Sequence, residues 1–199
     1  MLVYLIVNNY FSIYPPRFIM QADTCHIRPA QASDITAIQS IYAHHVLYGM
    51  ATFEETVPDV AEIRQRYDKV IAAGYPYLVA LQNNEVVGYC YASAYRPRIA
   101  YRFTVENSIY LRHDMGQKGI GSQLLTALIR HCEQGPWRQM IAVIGGTENL
   151  ASINLHKRHG FTLTGIQPNT GFKHNRWIDT VLMQREIGEG GHTLPKEVN

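Results

Sequence analysis

Three short stretches carry residue types that could do chemistry. In TVENSIYL, residues 104–111, strand alternation sends Val105, Asn107, Ile109 and Leu111 to one face and Glu106, Ser108 and Tyr110 to the other. One face therefore carries a carboxylate, a hydroxyl and a phenol in a row. In GQKGIGSQLL, residues 116–125, Gly119 and Gly121 let the backbone turn sharply just before a leucine-rich run. Unpaired N–H groups at the start of such a helix favour an anion, phosphate above all. In ENLASINLHKRHG, residues 148–160, His156 is an imidazole able to shuttle a proton near neutral pH, and Asn149 reads as a helix cap. Just upstream of the polar strand, Arg96 and Arg98 flank Pro97. Guanidinium forks suit carboxylate, phosphinate or sulfone oxygens.

The flanking pattern supplies the elements that must position these groups. HIRPAQASD reads as a short strand and a loop ending in Ser33 or Asp34 as an N-cap. Ile35, Ile38, Tyr42 and Val46 then recur at helical spacing up to Gly49. Pro58 opens a second predicted helix whose apolar face is Val60, Ile63, Tyr67, Val70 and Ile71, with Gly74 as its stop. YLVALQ and VVGYCYASA are predicted strands joined by hairpin chemistry at NNE, and the basic link YRPRIAYR leads into the polar strand. After the glycine loop, Leu124, Leu125, Leu128, Ile129 and Cys132 form one helical stripe, closed by Gly135-Pro136. MIAVIG suits a strand covered on both faces. A helix ending at Gly160 has Ile153 and Leu155 inside, and the strands FTLTGIQ and WIDTVLMQREI close the sheet. The order is β-α-α-β-β-β-α-β-α-β-β, an α/β (α+β) class.

Composition bounds the alternatives. A chain of 199 residues, 46% hydrophobic, can bury one full core. The net charge of +2 and the lack of a basic stripe interleaved with aromatics leave no nucleic-acid footprint. Cys25, Cys90 and Cys132 have neither disulfide-framework nor metal-ligand spacing, so no metal is expected and a reducing, cytoplasmic setting is the natural reading. The apolar run Leu2 to Val7 is too short to span a bilayer and lacks signal-peptide features, so no membrane association is expected. Residues 1–24 read as an extension outside the domain, 25–187 as one domain, and the Gly-rich 188–199 as a frayed tail.

Which phosphate the loop would hold is narrowed by what is missing. Gly116 to Gly121 has the spacing of a P-loop, but Ser122-Gln123 follows instead of Lys-Ser/Thr. Leu124 stands where a dinucleotide fingerprint needs its third glycine, and the loop follows four predicted strands rather than one. The segments TVENSIYLRHDMGQKGIGSQLLTALI, MIAVIG, ENLASINLHKRHGF and GFKHNRWIDTVLMQRE together resemble the GNAT acyl-CoA N-acetyltransferases. More narrowly, they are similar to the branch acting on phosphinothricin and methionine sulfoximine. The likeness runs from His26 to Ile187. The superfamily loop Gln/Arg-x-x-Gly-x-Gly/Ala departs here only at its first position, which is Gly116.

The resemblance implies a GNAT fold: a central mixed, mostly antiparallel sheet of about seven strands flanked by about four helices. It implies acetyl-CoA as co-substrate. Its pyrophosphate would lie on the backbone of Gly116, Gln117, Lys118, Gly119, Ile120, Gly121 and Ser122, with charge added by Lys118. Its pantetheine arm would run along Ile109, Tyr110 and Leu111 and meet Asn149. Glu106 becomes the candidate general base acting through water, a backbone N–H near Leu111 the group that polarises the thioester, His156 the candidate acid and Tyr110 the reserve. Arg96, Pro97, Arg98, Glu106, Asn107 and Ser108 would hold a small amino acid with an oxidised side chain, Asn107 only if a bulge re-aims it. GFKHNRW would line the pocket or a homodimer contact, and the role of Phe53 and Glu54 in ATFEE stays open. Other amine acceptors (a protein N-terminus, a polyamine, an antibiotic) or an acyl-CoA sensor without turnover remain as alternatives.

Overall fold

A computed structural model describes residues 25–195, so the expected N-terminal extension and the last four residues lie outside the described residues. The elements follow as β1 (His26–Pro29), α1 (Ile35–Tyr48), α2 (Val60–Ala72), β2 (Tyr77–Gln82), β3 (Glu85–Ala94), β4 (Thr104–Leu111), α3 (Ile120–Glu133), β5 (Gln139–Gly145), α4 (Leu150–Arg158), β6 (Thr162–Lys173) and β7 (Arg176–Glu186). This is the order read from the sequence. The seven strands form one sheet in the order β1-β2-β3-β4-β5-β7-β6. Every neighbouring pair is antiparallel except β4 and β5.

Local chemistry explains the turns. Asn83 and Asn84 both take positive φ, 52° and 64°, the handedness a two-residue hairpin needs, and Asn tolerates it. His174 and Asn175 do the same at 48° and 59°. GFKHNRW is therefore the tip of a β6–β7 hairpin, not a separate lining segment, and β6 runs well beyond FTLTGIQ. The second helix starts later than Pro58: the Asp59 carboxylate accepts the Glu62 amide at 2.7 Å and caps it. Asp34 does not cap α1 with its side chain. It accepts the Gln31 amide at 2.7 Å and pairs with both ends of the Arg28 guanidinium at 2.7 and 2.8 Å, tying the first turn to β1.

Two apolar layers sandwich the sheet. Leu124, Leu125 and Leu128 of α3 are fully buried against Leu78, Cys90, Val105, Met140 and Met183, each contributing roughly 1.5–3 kcal/mol of transfer free energy. On the other face Ile38, Tyr42 and Val46 of α1 and Ile63 of α2 cover Tyr77, Val79 and Tyr89. Val60 and Ile71, expected on the inner face of α2, are exposed at its rim. The tail expected to fray makes contacts as far as Thr193: Arg138 donates to Glu189 at 3.0 Å and to Thr193 at 3.2 Å.

One irregularity in the sheet matters most. Parallel pairing of β4 with β5 runs from Thr104↔Gln139 to Asn107↔Ala142 and stops, although β4 continues to Leu111 and β5 to Gly145. The two strands part into a wedge. β4 stays paired with β3 along its whole length, and β5 stays paired with β7. The wedge leaves Val143 exposed, so MIAVIG is not covered on both faces as expected.

Candidate active site

The wedge opens a strand edge. The Arg112 amide donates to Val87 on β3 at 2.9 Å, so backbone alternation turns the N–H and C=O of Ile109 and Leu111 the other way, toward the gap. His45 of α1 donates from Nε2 to the Leu111 carbonyl at 2.8 Å. Burial lowers its pKa and keeps the ring neutral, which fixes the proton on Nε2. Beyond β4 the chain turns into α3 through Gly119, whose φ of 77° is left-handed and favours glycine. No side chain among the described residues caps this helix start, so its first amides are left for an anion. Gly116 is different: its φ is −63°, and a Cβ there would meet nothing within 4 Å. The loop does not need glycine at that position.

A cavity of about 190 Å³ lies at the wedge, lined on one side by Met50 to Phe53 and Glu106 to Tyr110, and on the other by Ala142 to Gly145, Asn149, Ser152 and His156. Glu106 is half-buried. Its carboxylate makes no hydrogen bond or ion pair among the described residues, and burial raises its pKa. Tyr91 and Ser108 lie close by. A carboxylate with a raised pKa is a stronger base once ionised than an exposed one.

His156 is only 2% exposed and is flanked by oxygens. Asn107 Nδ2 donates to the Ile141 carbonyl at 3.0 Å, which can only accept, so Asn107 Oδ1 is the atom 3.0 Å from His156 Nε2. His156 Nδ1 lies 2.8 Å from the Ser152 carbonyl and 3.4 Å from the Ser152 hydroxyl. An imidazolium satisfies both acceptors. A neutral ring is satisfied only with the proton on Nε2 and the Ser152 hydroxyl donating to Nδ1. Burial lowers the His156 pKa, while the bond to the Ser152 carbonyl raises it. Burial is the larger pull, so the net shift is downward.

Comparison with known proteins decides what kind of site this is. Residues 27–182 match the family model described as an acetyltransferase (GNAT) domain. The chain belongs to the GNAT acetyltransferases. It is 51% identical over 172 residues to the phosphinothricin N-acetyltransferase of Alcaligenes faecalis, covering 86% of this chain and 87% of that one. It is 40% identical over 162 residues to an L-methionine sulfoximine/L-methionine sulfone acetyltransferase of Pseudomonas paraeruginosa, covering 81% and 94%. A crystal structure of a GNAT phosphinothricin acetyltransferase from Sinorhizobium meliloti in complex with AcCoA superposes with a TM-score of 0.85 at 50% identity, covering 87% of this chain and 94% of that one.

Within this GNAT frame, the residues nominated from sequence fall into three groups. Glu106, Asn107, Ser108, Ile109, Tyr110, Asn149 and His156 meet at the cavity. Residues 116–122 form the turn and first helical residues beyond it. Lys118 Nζ lies 3.5 Å from Met115 Sδ, and Ser122 Oγ lies 3.1 Å from His159 Nε2. Arg96, Pro97 and Arg98 are not brought to the cavity: they are exposed on the β3–β4 connection, and the Arg96 guanidinium lies over the Tyr95 and Tyr101 rings at 5.0 and 5.7 Å. Asn107 is not re-aimed by a bulge, because the β3–β4 register is continuous, and its amide is committed to Ile141 and His156. Tyr110 packs on the α1 side, 5.2 Å from Tyr42 and 5.3 Å from Tyr89, and burial raises its pKa strongly.

Sequence reasoning missed Ser152 and the wall from Met50 to Thr52. Ser152 carried a signal: it stands three residues after the cap Asn149, whose Oδ1 accepts its amide at 3.2 Å, and four before His156. The wall carried none, since ordinary loop residues become a wall only by long-range packing. Among the described residues no helix is long and apolar enough to cross a membrane, and no group of three or more His, Cys, Asp or Glu is placed to hold a metal.

Proposed function

We propose that this GNAT acetyltransferase moves the acetyl group of acetyl-CoA onto the α-amine of a small amino acid such as phosphinothricin, methionine sulfoximine or methionine sulfone. The observation that carries the reading is Glu106, a half-buried carboxylate without a hydrogen-bond partner among the described residues, on a strand whose far end is not paired with β5. The acceptor class is supported by the relatives' own names. Acetyl-CoA fits two features of this chain: amides free at the start of α3 for a pyrophosphate, and Ile109 and Leu111 for a peptide-like arm. It would supply a thioester already activated for attack by an amine.

The chain's own residues then manage protons. Glu106 takes a proton from the acceptor's ammonium through water, leaving the nitrogen lone pair free to attack the thioester carbon. The backbone N–H of Leu111 faces the gap and would stabilise the charge growing on the carbonyl oxygen. The attacking nitrogen sheds its second proton to water as the carbon–sulfur bond breaks and the amide forms, and a protonated His156 gives a proton to the departing thiolate by way of Ser152. Arg96 and Arg98 would act on the acceptor only after the β3–β4 connection moves inward or a second chain closes the site.

A homodimer suits the exposed apolar surface of the β6–β7 hairpin, where Phe172 is 50% and Trp177 64% exposed. Three free thiols, two of them buried, suit a reducing cytoplasm. A thiol-release screen with acetyl-CoA tests the reading across amino-acid sulfones, sulfoximines and phosphinates, with polyamines and peptide N-termini as controls. Turnover confined to the small oxidised amino acids is expected. Preference for polyamines or peptides would replace the acceptor, and acetyl-CoA binding without turnover of any amine would make the chain a sensor.

A further inference from the structure

Lys173, near the end of β6, is only 1% exposed, yet it has no carboxylate within ion-pair distance among the described residues. Its ammonium donates to three backbone carbonyls: His45 at 3.3 Å, Gly49 at 2.9 Å and Thr52 at 2.8 Å. Two of these belong to the last turn and cap of α1, where the helix dipole is negative. The third lies in the loop that walls the cavity. Burying an ammonium is costly, and an apolar side chain would fill the same space without that cost. An ammonium differs in having three N–H donors, here matched to three otherwise separate carbonyls.

The same strand face holds the wall a second time. Gly171 and Lys173 alternate onto the inner face of β6 while Phe172 points outward. A Cβ on Gly171 would come within 2.5 Å of Phe53 Cε2, so the missing side chain is the seat of the Phe53 ring. Thr52 is also held by the Tyr42 hydroxyl at 2.8 Å, and Glu54 by Arg66 at 2.6 Å. Residues 49–54 therefore have little freedom, and Met50 to Phe53 among them line the cavity beside Glu106 and Ser108.

We propose that Lys173 is a positioning residue for acceptor recognition: it fixes the α1–α2 loop as the acceptor-side wall, and Gly171 sets how deeply Phe53 enters. This rests on the acetyltransferase reading for its kinetic consequence, but not for its structural one. In that reading acetyl-CoA would lie toward the start of α3, and Lys173 makes no bond of its own to α3 or β4.

The test uses the full chain with Lys173→Met and Lys173→Arg. In Lys173→Met, amide exchange across residues 49–56 should rise about tenfold or more while the amides of α3 stay protected. The KM for methionine sulfone should rise about tenfold or more, with acetyl-CoA Kd held within about twofold. Lys173→Arg keeps charge and donors in the wrong geometry, so its acceptor KM should fall between the two. Unchanged loop exchange and acceptor KM would overturn the proposal. So would an equal loss of acetyl-CoA affinity, which would make Lys173 a general stabiliser. Should Lys173→Met fail to fold, Lys173→Arg decides: a raised acceptor KM at constant acetyl-CoA Kd supports the clamp, and a wild-type KM overturns it. If the wild-type chain acetylates no small amino acid, the functional reading fails, and the clamp stands or falls on loop exchange alone.

Discussion

On the α3 side of the wedge the site is made mainly of backbone: the edge of Ile109 and Leu111 not paired with β5, the left-handed turn at Gly119 and the start of α3, which no side chain among the described residues caps. On the α1/α2 side it is made of side chains: Glu106, Ser108, Phe53 and the loop that Lys173 holds. Backbone recognition needs only a short run of residues that lets the chain approach and turn. Side-chain recognition needs residues brought together from across the chain, and Lys173 reaches carbonyls more than a hundred positions away. The first kind of site can be shared by every acyltransferase using one cofactor. The second is where acceptors can be told apart.

The contrast can be broken by removing one group at a time. Glu106→Gln should have the largest effect, lowering turnover by about 10²–10⁴-fold while leaving acetyl-CoA affinity within about twofold, as read by thiol release and calorimetry. Wild-type turnover would remove Glu106 as the base. Next comes Asn107→Leu, which strips partners from the Ile141 carbonyl and His156 Nε2. It should cost about 1–3 kcal/mol in urea unfolding, and no loss would mean the network is dispensable. A smaller gain is expected from Gly116→Arg, because the position is open and beside the anion-favouring turn. Acetyl-CoA should bind tighter by about 0.3–1 kcal/mol at low salt, an advantage that added salt removes.

The weakest effect is on stability against pH. Burial lowers the pKa of His45 and His156 in the folded chain. Between the unfolded value of roughly 6.5 and the lower folded values, the unfolded chain binds more protons. Stability is therefore full above that window and falls as pH drops through it. Urea midpoints followed from pH 8 downward should show this loss, and it should be smaller in His156→Gln.

How much was legible in the sequence follows the same division. TVENSIYL, the glycine turn and the Asn149 cap are local patterns, and each element formed where alternation, glycine or a capping side chain put it. The wedge was not legible, because the apolar run of β5 reads the same whether or not its far end pairs with β4. Asn107 stays on the strand face that alternation gives it, and what the sequence hides is its bonds to Ile141 and His156, 34 and 49 residues away. Lys173 reads in sequence as an ordinary hairpin lysine, and only the packing of β6 on α1 reveals it as buried. Arg96 and Arg98 stand on an exposed connection away from the cavity, a placement that residue type alone does not reveal.

One methyl group on each side tests the division most directly. Gly119→Ala puts a side chain on the left-handed turn, and Gly171→Ala puts one under the Phe53 ring. The first should weaken acetyl-CoA binding about tenfold and leave the KM for methionine sulfone unchanged. The second should raise that KM and leave acetyl-CoA Kd unchanged. If either methyl shifts both constants together, the two sides are not separable and the account of the site is wrong.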